Sequence, residues 1–363
     1  MKLLYATSLR FPSSLANRIQ IVSMANAFDH TLGNSFTLGM SVGKEHTNLS
    51  CNVVEMGTKT KSPYLAWNYL RYASANNFTH IYCREEKLLF FLVLFSRVFF
   101  KSAHITFCYE VHRLEYAPKL WHKYILSHMP YVIPITEGMR ASLQSDYGYK
   151  GTMFVAADAV DPALFEIPQT KEEARVALGL PLDKKIALYA GSLEPWKGAD
   201  TFYESIRHMG SEWLFVIVGG KPPHVTEFLG THELHESVRM EGQKPYNTAL
   251  PQYLRAADIA VIPNSGVQEI SRVSTSPLKL FAYMASGTPI VASDLPSLRE
   301  ILTDDLAVLV KPDDAEALAQ GIQKAQSDPQ RAERADRAKK LVRERYTWNQ
   351  RSDAIVSFIQ GRL

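Results

Sequence analysis

A lysine in a turn between two glycines is the most informative chemical feature of the sequence. Residues 188–200 read LYAGSLEPWKGAD, so an apolar run ends at Gly191 and Lys197 stands just before the next helical pattern. Free backbone N–H groups at such a turn and the positive end of a helix attract an anion, and a lysine adds a full charge for a phosphate. The spacing fits neither a Walker loop nor a Rossmann glycine fingerprint. The turn therefore predicts another kind of phosphate site, and the simpler alternative is a solvated surface lysine.

A second set of candidate anion-binding residues lies further along the chain. Ser274 and Ser276 precede Pro277 and Leu278, where another helical pattern begins. Hydroxyl groups before a helix and a proline in its first turn leave backbone N–H groups facing outward. Two anion pockets in one part of the chain indicate a site for one diphosphate.

Alternating strand and helix patterns must position these residues. Predicted strands in the first half are Lys2–Ala6, Ser35–Met40, His80–Cys83, Ala103–Tyr109 and Tyr131–Ile135, with helices at Leu15–Phe28, Tyr64–Ala75, Lys87–Phe100 and Glu137–Tyr147. In the second half the strands are Lys185–Ala190, Trp213–Val218, Ile259–Ile262, Pro289–Ala292 and Ala307–Val310, with helices at Ala199–Met209, Thr248–Ala256, Pro277–Ala285, Leu295–Leu302 and Asp314–Ala325. Apolar strands separated by helices predict an α/β fold of two doubly wound parallel-sheet domains.

Polar, Pro- and Gly-containing segments between the two series suit a linker, which we place near Phe165. The predicted domains are residues 1–165, residues 166–345 and a closing amphipathic helix within 346–363. Up to Phe165 there are 16 basic and 11 acidic residues, a net charge of +5, and beyond it 24 and 26, a net charge of −2. The excess is either an unevenly charged solvated surface or a face for an anionic acceptor or membrane.

Composition excludes several classes of protein. The 363 residues, 46% hydrophobic and 21% charged, suit two globular domains, and a net charge of +3 does not point to nucleic acid. Three isolated cysteines form neither a disulfide framework nor a zinc motif, and we expect a reducing compartment.

The apolar start is too short for a signal peptide and predicts a strand. The longest apolar run, Leu88–Phe100, is too short to span a bilayer; it is either a helix buried all round or a membrane-docking face.

As an ordered set, several motifs resemble the retaining glycosyltransferases of family 4. They are GSLEPWKG (191–198), VGG (218–220), EGQ (241–243), YLRAADIAVIP (253–263), SPLKLF (276–281) and MASGTPIV (284–291). The resemblance covers essentially the whole chain and implies the GT-B fold of two facing Rossmann-like domains. It implies that the first domain binds the acceptor, that the second holds a nucleotide sugar, and that the last helix crosses back to pack on the first domain. It implies transfer of a hexosyl group from a nucleoside-diphosphate sugar to a hydroxyl acceptor, with retention of configuration and without a metal or other cofactor.

Carried over residue by residue, the resemblance implies three groups of functional positions. The catalytic positions are His112, Lys197 and Glu110, of which His112 and Glu110 lie in the segment YEVHR (109–113) after a predicted strand. The donor-binding positions are Gly191, Ser192, Lys197, Gly219, Gly242, Lys244, Ser274, Ser276, Pro277, Leu278 and Ala282. The acceptor-binding positions are Ser13, Ser14 and Arg113.

At two positions the chain departs from the family pattern. Ser192 stands where many members have an arginine for the diphosphate, so Lys197 must bear more of that charge. Ala282 stands where a glutamate usually binds the ribose, and losing such a charge-assisted hydrogen bond weakens binding by about 1.5–3 kcal/mol. Either this is a natural variant, or the glutamate was replaced to slow turnover.

Two alternatives remain open at this point. A nucleotide-sugar epimerase would need acid and base carboxylates around the sugar, and a non-catalytic nucleotide-sugar-binding protein is suggested by Ala282. An oxidoreductase is disfavoured because the glycine fingerprint is missing. We expect a carbohydrate or lipid-linked acceptor and a cytoplasmic location, either free or at the inner face of the membrane.

Overall fold

A computed structural model describes residues 1–9, 16–41, 49–57, 61–114, 118–232 and 235–362. The strands are β1 (Leu3–Ala6), β2 (Phe36–Met40), β3 (Val53–Glu55), β4 (His80–Cys83), β5 (Thr106–Val111), β6 (Tyr131–Pro134), β7 (Thr152–Met153), β8 (Lys185–Ala190), β9 (Trp213–Val218), β10 (Val238–Gly242), β11 (Ile259–Ile262), β12 (Ile290–Ser293) and β13 (Val308–Val310). The helices are α1 (Ala16–Leu32), α2 (Ser62–Ala75), α3 (Glu86–Phe99), α4 (Leu120–Leu126), α5 (Glu137–Ser145), α6 (Lys171–Leu178), α7 (Ala199–Glu204), α8 (Pro222–Thr231), α9 (Leu250–Ala256), α10 (Glu269–Val273), α11 (Leu278–Ser286), α12 (Pro296–Arg299), α13 (Ala315–Ser327), α14 (Arg331–Arg345) and α15 (Trp348–Ile359).

The chain divides into two compact units, Met1–Asp158 with Trp348–Leu363, and Ala159–Thr347. In the first unit the strand order is β3-β2-β1-β4-β5-β6-β7, and the pairs are parallel. Strand β1 is central and wholly buried, because helices cover both faces of a parallel sheet. Its residue Leu3 is in register with Phe36 of β2 and His80 of β4.

The second unit repeats this plan with the order β10-β9-β8-β11-β12-β13, again parallel throughout. Its long central strands are β8 and β9, whose apolar sequences are almost completely buried. The predicted class of two doubly wound parallel-sheet domains is therefore confirmed.

Helix α15, the last of the chain, packs in the first unit. It lies against α1, where the Thr31 and Ser352 hydroxyls are 2.8 Å apart, and Phe358 stacks on Phe154 with ring centroids 5.4 Å apart. The division between the units falls after Asp158, before the linker position near Phe165. The reason is that Val160 pairs with Thr347 and Phe165 packs on Tyr246, so residues 159–165 are built into the second unit.

Helix α3 is buried along one face only, so the expectation of a helix buried all round is wrong. Leu88 and Leu92 are fully buried, but Val98 and Phe99 in the last turn are 53% and 60% exposed. Elsewhere α3 packs on α2 and on α4, where the Phe90 and Tyr124 rings are 5.6 Å apart, whereas its last turn is left exposed. Among the described residues, no helix combines the length and apolar character needed to cross a membrane.

Candidate functional site

Three predicted glycines meet at the carboxyl edge of the second sheet. Gly191, Gly219 and Gly242 follow or end the adjacent strands β8, β9 and β10. The Gly219 N–H donates to the Gly242 carbonyl at 2.7 Å, and the Gly191 N–H donates to that of Val218 at 2.9 Å. A Cβ atom on Gly219 would lie 1.9 Å from the Gly191 carbonyl oxygen, so only glycine allows the two turns to approach this closely.

The predicted lysine is fixed at the same edge by its own turn. Lys197 ends a short 3-10 turn, and its Nζ lies 3.5 Å from the centroid of the Trp196 ring. The next residue, Gly198, has a φ of 72°, and a Cβ there would lie 1.7 Å from the Pro263 carbonyl oxygen. The turn therefore rests on the end of β11, and the glycine after the lysine is required by this close approach.

The second predicted anion pocket surrounds the start of α11. Ser276 and Pro277 are buried before the helix, Leu278 begins it, and Ser274 is half-buried at the end of α10. Pro277 occupies the N-cap and offers no side-chain cap, and its carbonyl oxygen accepts a hydrogen bond from the Leu280 N–H at 2.9 Å. Ala282 is different, because its methyl group lies inside the protein with no exposed surface.

Two of the predicted donor-binding side chains are engaged elsewhere. The Ser192 hydroxyl donates to Glu194 Oε2 at 2.7 Å, and Lys244 Nζ lies 3.4 Å from Glu241 Oε2. Lys244 is also exposed. The structure thus brings the glycines and Lys197 together, but it pairs Ser192 and Lys244 with neighbouring carboxylates.

Two further buried polar side chains lie at this edge, and neither is among the individually predicted positions. Lys279 is only 8% exposed, and among the described residues its Nζ has no hydrogen-bond partner; the same holds for both side-chain amide atoms of Asn264, which is fully buried. Burial, and then the charge of Lys197, hold the pKa of Lys279 well below its usual range. A signal was present, since Lys279 is the one charged residue in the apolar helix 278–286.

The carboxyl edge of the first sheet holds the predicted carboxylate and imidazole. Glu110 is buried near the end of β5, and its Oε2 accepts a hydrogen bond from the Tyr82 hydroxyl at 2.5 Å. Its Oε1 accepts from Arg351 Nη2 at 2.8 Å and lies 2.5 Å from His112 Nε2. The bond to the carboxylate assigns the ring proton of His112 to Nε2, because a carboxylate only accepts.

Charge at this cluster fixes the protonation states. Burial alone would raise the pKa of Glu110, but Arg351 and then His112 outweigh it and hold that pKa well below its usual range. Burial, followed by the nearby Arg84 guanidinium, lowers the pKa of His112. The pair is therefore an ionised carboxylate orienting a neutral imidazole, and Glu110, with three donors, is poorly suited to be a general acid.

The remaining predicted positions are the acceptor-binding residues. Arg113 is exposed directly after His112. Ser13 and Ser14 lie outside the described residues. Within the described ranges, no group of three or more His, Cys, Asp or Glu side chains is arranged to hold a metal ion.

Comparison with known proteins finds a family match within the second unit. Residues 170–342 match the family described as glycosyl transferases group 1. The second unit therefore carries a glycosyltransferase group 1 domain, and the family resemblance seen in the motifs is confirmed.

Two curated relatives illustrate the relationship. The chain is 32% identical over 154 residues to TuaC of Bacillus subtilis, named as a teichuronic acid biosynthesis glycosyltransferase, and this covers 42% of the chain and 36% of TuaC. It is 27% identical over 208 residues to the D-inositol 3-phosphate glycosyltransferase of Xylanimonas cellulosilytica, covering 56% and 48% of the two chains. The chain thus matches less than half the length of either relative.

Solved structures extend the likeness to nearly the whole chain. Anabaena HepE in complex with UDP superposes with a TM-score of 0.77 at 17% identity, covering 99% of this chain and 100% of HepE. The sucrose-phosphate synthase of Thermosynechococcus elongatus gives 0.79 at 18% identity, covering 99% and 98%. At this level of identity the likeness shows the fold, which is GT-B.

Proposed function

We propose that the protein is a glycosyltransferase that moves a hexosyl group from a nucleoside-diphosphate sugar to a hydroxyl acceptor. One observation carries the proposal: within the group 1 domain, Lys197 and the turns of Gly191, Gly219 and Gly242 lie at one edge of the sheet. Backbone donors and a cation at such an edge suit a diphosphate. The HepE complex with UDP makes a uridine nucleotide the first donor to test.

The chemistry assigned to this edge is stabilisation of the leaving group. As the bond from the anomeric carbon to the diphosphate oxygen breaks, negative charge grows on the diphosphate, and Lys197 with the neighbouring N–H groups stabilises it. We propose retention of configuration, with the acceptor hydroxyl losing its proton to the departing phosphate while its oxygen bonds to the anomeric carbon. His112, neutral and oriented by Glu110, positions the substrate, and no metal is required.

The alternatives receive less support from the geometry. An epimerase needs a carboxyl group that gives up and takes up a proton, whereas Glu110 is held ionised by Arg351 and His112. A non-catalytic binding protein is suggested only by Ala282, whose enclosed side chain leaves the ribose without the usual carboxylate. Binding without turnover, unchanged in Ala282→Glu, would favour this second reading.

Calorimetric titration and a product assay test the proposed function. We expect one of UDP, GDP and ADP to bind, and Lys197→Ala to weaken that binding by about tenfold or more, the value of a charge-assisted hydrogen bond. Lys185→Ala is the matched control, because Lys185 begins β8 at the opposite edge of the same sheet. With the matching sugar donor, NMR of the product should show the donor's anomeric configuration, with the rate unchanged by EDTA. Failure of all three nucleotides to bind would refute the proposal.

We also propose a cytoplasmic location with peripheral contact to the inner face of the membrane. The support is an exposed apolar surface formed by Trp67, Val98 and Phe99, bordered by Arg97 and Lys101; we call it the α2–α3 surface. Aromatic groups with flanking cations suit an anionic bilayer interface. The α2–α3 surface lies at the end of α3 that precedes β5, one helix length of about 20 Å from the edge holding His112. It would therefore anchor the protein rather than deliver an acceptor.

A further inference from the structure

Lys279 is placed where a lysine is unfavourable for folding. It is the second residue of α11, and every residue of that helix before Ser286 is buried. A buried ammonium group costs free energy unless it is paired, and among the described residues its Nζ has no hydrogen-bond partner. An anionic partner would compensate for that cost, and the hydrogen bonds of the described residues supply none to this atom.

The position of the Nζ atom identifies where that partner would lie. It sits 4.4 Å from the centroid of the Tyr189 ring on β8, and 3.7 Å from where a Cβ on Gly191 would be. The ammonium group is thus directly beneath the turn after β8, the turn already assigned to the diphosphate. Lys197 follows that turn at the same edge of the sheet, and after burial its charge also lowers the pKa of Lys279.

A second, independent feature of the same edge also points to a ligand. Asn264, just after β11, is fully buried, and among the described residues neither of its side-chain amide atoms is hydrogen-bonded. Unsatisfied buried polar groups are rare in native proteins and concentrate where a ligand or ion belongs. Strand β11 is the neighbour of β8, so Asn264 and Lys279 leave their polar atoms at the same carboxyl edge.

We propose that Lys279 binds the donor diphosphate directly, acting with Lys197 as the second positive group that Ser192 cannot provide. This inference rests on the proposed function, whose donor carries the diphosphate. Two ammonium groups match an anion that carries more than one negative charge, so the site does not need a cationic side chain at position 192. Lys279 approaches the diphosphate from α11, whereas residue 192 lies in the turn after β8.

Binding at Lys279 is expected to take up a proton. Without an anion, burial and Lys197 favour the neutral amine; with the diphosphate beside it, the ammonium form is favoured. Affinity should therefore fall as the pH rises, and the heat of binding should depend on the ionisation enthalpy of the buffer. A lysine with a merely structural role would show neither effect.

The experiment is a calorimetric titration of inorganic pyrophosphate and of UDP, GDP and ADP into the wild type, Lys279→Met and Lys185→Met. Each titration is carried out above neutral pH, where these anions hold few protons, and in two buffers of different ionisation enthalpy. We expect Lys279→Met to weaken pyrophosphate and the preferred nucleotide by about tenfold or more and to abolish most of the proton uptake. Lys185→Met should change neither. Lys279→Gln serves as a second neutral variant if methionine disturbs packing.

The outcomes separate this inference from the proposed function. If a nucleotide binds and both Lys279 variants bind it as the wild type does, the role of Lys279 is refuted and the function stands. If pyrophosphate binds in a Lys279-dependent manner but no nucleotide does, Lys279 is an anion site and the proposed donor is wrong. If the wild type binds neither pyrophosphate nor a nucleotide, both proposals fail.

Discussion

Each unit buries an ionisable side chain, Glu110 in the first and Lys279 in the second, but the two differ in their hydrogen-bond partners. Glu110 is enclosed but accepts hydrogen bonds from Tyr82, Arg351 and His112, so its burial is compensated within the protein. Lys279 is enclosed with a tyrosine ring as its neighbour, and among the described residues no group is hydrogen-bonded to its Nζ. An uncompensated buried charge lowers stability, and proteins retain such groups mainly where function requires them.

Replacing Lys279 should therefore stabilise the protein in a pH-dependent way. The folded state lowers the pKa of Lys279 below its ordinary value of 10.5, so between the two values the unfolded chain binds more protons. The stability penalty is complete below the folded-state pKa and fades as the pH rises toward the ordinary one. We expect Lys279→Met to raise Tm, more at about pH 6 than at about pH 9. Thermal unfolding at several pH values checks this, and a lower Tm at both ends would contradict it.

How far the site could be predicted differs from residue to residue. Gly191, Lys197 and Glu110 stand in or beside short turns after apolar strands, and the carboxyl edge of a parallel sheet brings such turns together whatever their details. Lys279 lies inside a helix, and its burial depends on how that helix packs, which local sequence does not encode. Arg351 is more than two hundred positions from Glu110 in sequence, so only the fold reveals that they pair.

Among the elements, the central strands are the ones that sequence patterns identify best. Strands β8 and β9 have the predicted bounds, because each is an apolar run buried on both faces. Strand β10 was missed, since an edge strand is only partly buried and here carries Arg239 and Glu241. Helix α14 was missed because it is rich in charged residues, and only Ala335, Ala338 and Val342 are buried.

The exposed end of α3 supports a prediction about membrane contact. We expect the wild type to sediment with vesicles of phosphatidylcholine and phosphatidylglycerol, and less with phosphatidylcholine alone, since each basic residue near an anionic surface contributes about 1 kcal/mol. The double variant Val98→Ser with Phe99→Ser should lose most of this binding. Leu182→Ser, which removes a comparably exposed apolar side chain from the second unit, should not. Equal sedimentation of all three proteins would contradict a role for the α2–α3 surface.

At the scale of the whole molecule, the first unit is completed by the last segment of the chain. Helix α15 follows the entire second unit in sequence but packs in the first. Arg351 fixes it there, because its guanidinium binds Glu110 and donates to the carbonyl oxygens of Ala156 and Ala157 at 3.1 and 2.8 Å. A change at the end of the sequence should therefore affect the stability of the unit that begins it.

Arg351→Met tests this connection. It leaves the Glu110 carboxylate buried without its strongest cation, and breaking one side of a buried pair costs about 3–5 kcal/mol. Hydrogen exchange read by mass spectrometry should show lost protection in β4, β5 and α1, with β8 and β9 unchanged. The matched control Arg343→Met breaks the half-exposed pair with Glu166 in the second unit and should cost at most about 1 kcal/mol.

The same variant carries a pH signature. Because the folded-state pKa of Glu110 lies below its ordinary value of 4.5, the pair contributes its full stability above that value and loses it as the pH falls through the lowered pKa. Without Arg351, burial raises the pKa of Glu110, so the stability difference between the wild type and Arg351→Met should narrow as the pH falls from the pKa of the variant to the lowered pKa of the wild type. Denaturant unfolding of the first unit across that range measures it. A difference independent of pH, or protection lost equally in both units, would mean that Arg351 acts through packing rather than through Glu110.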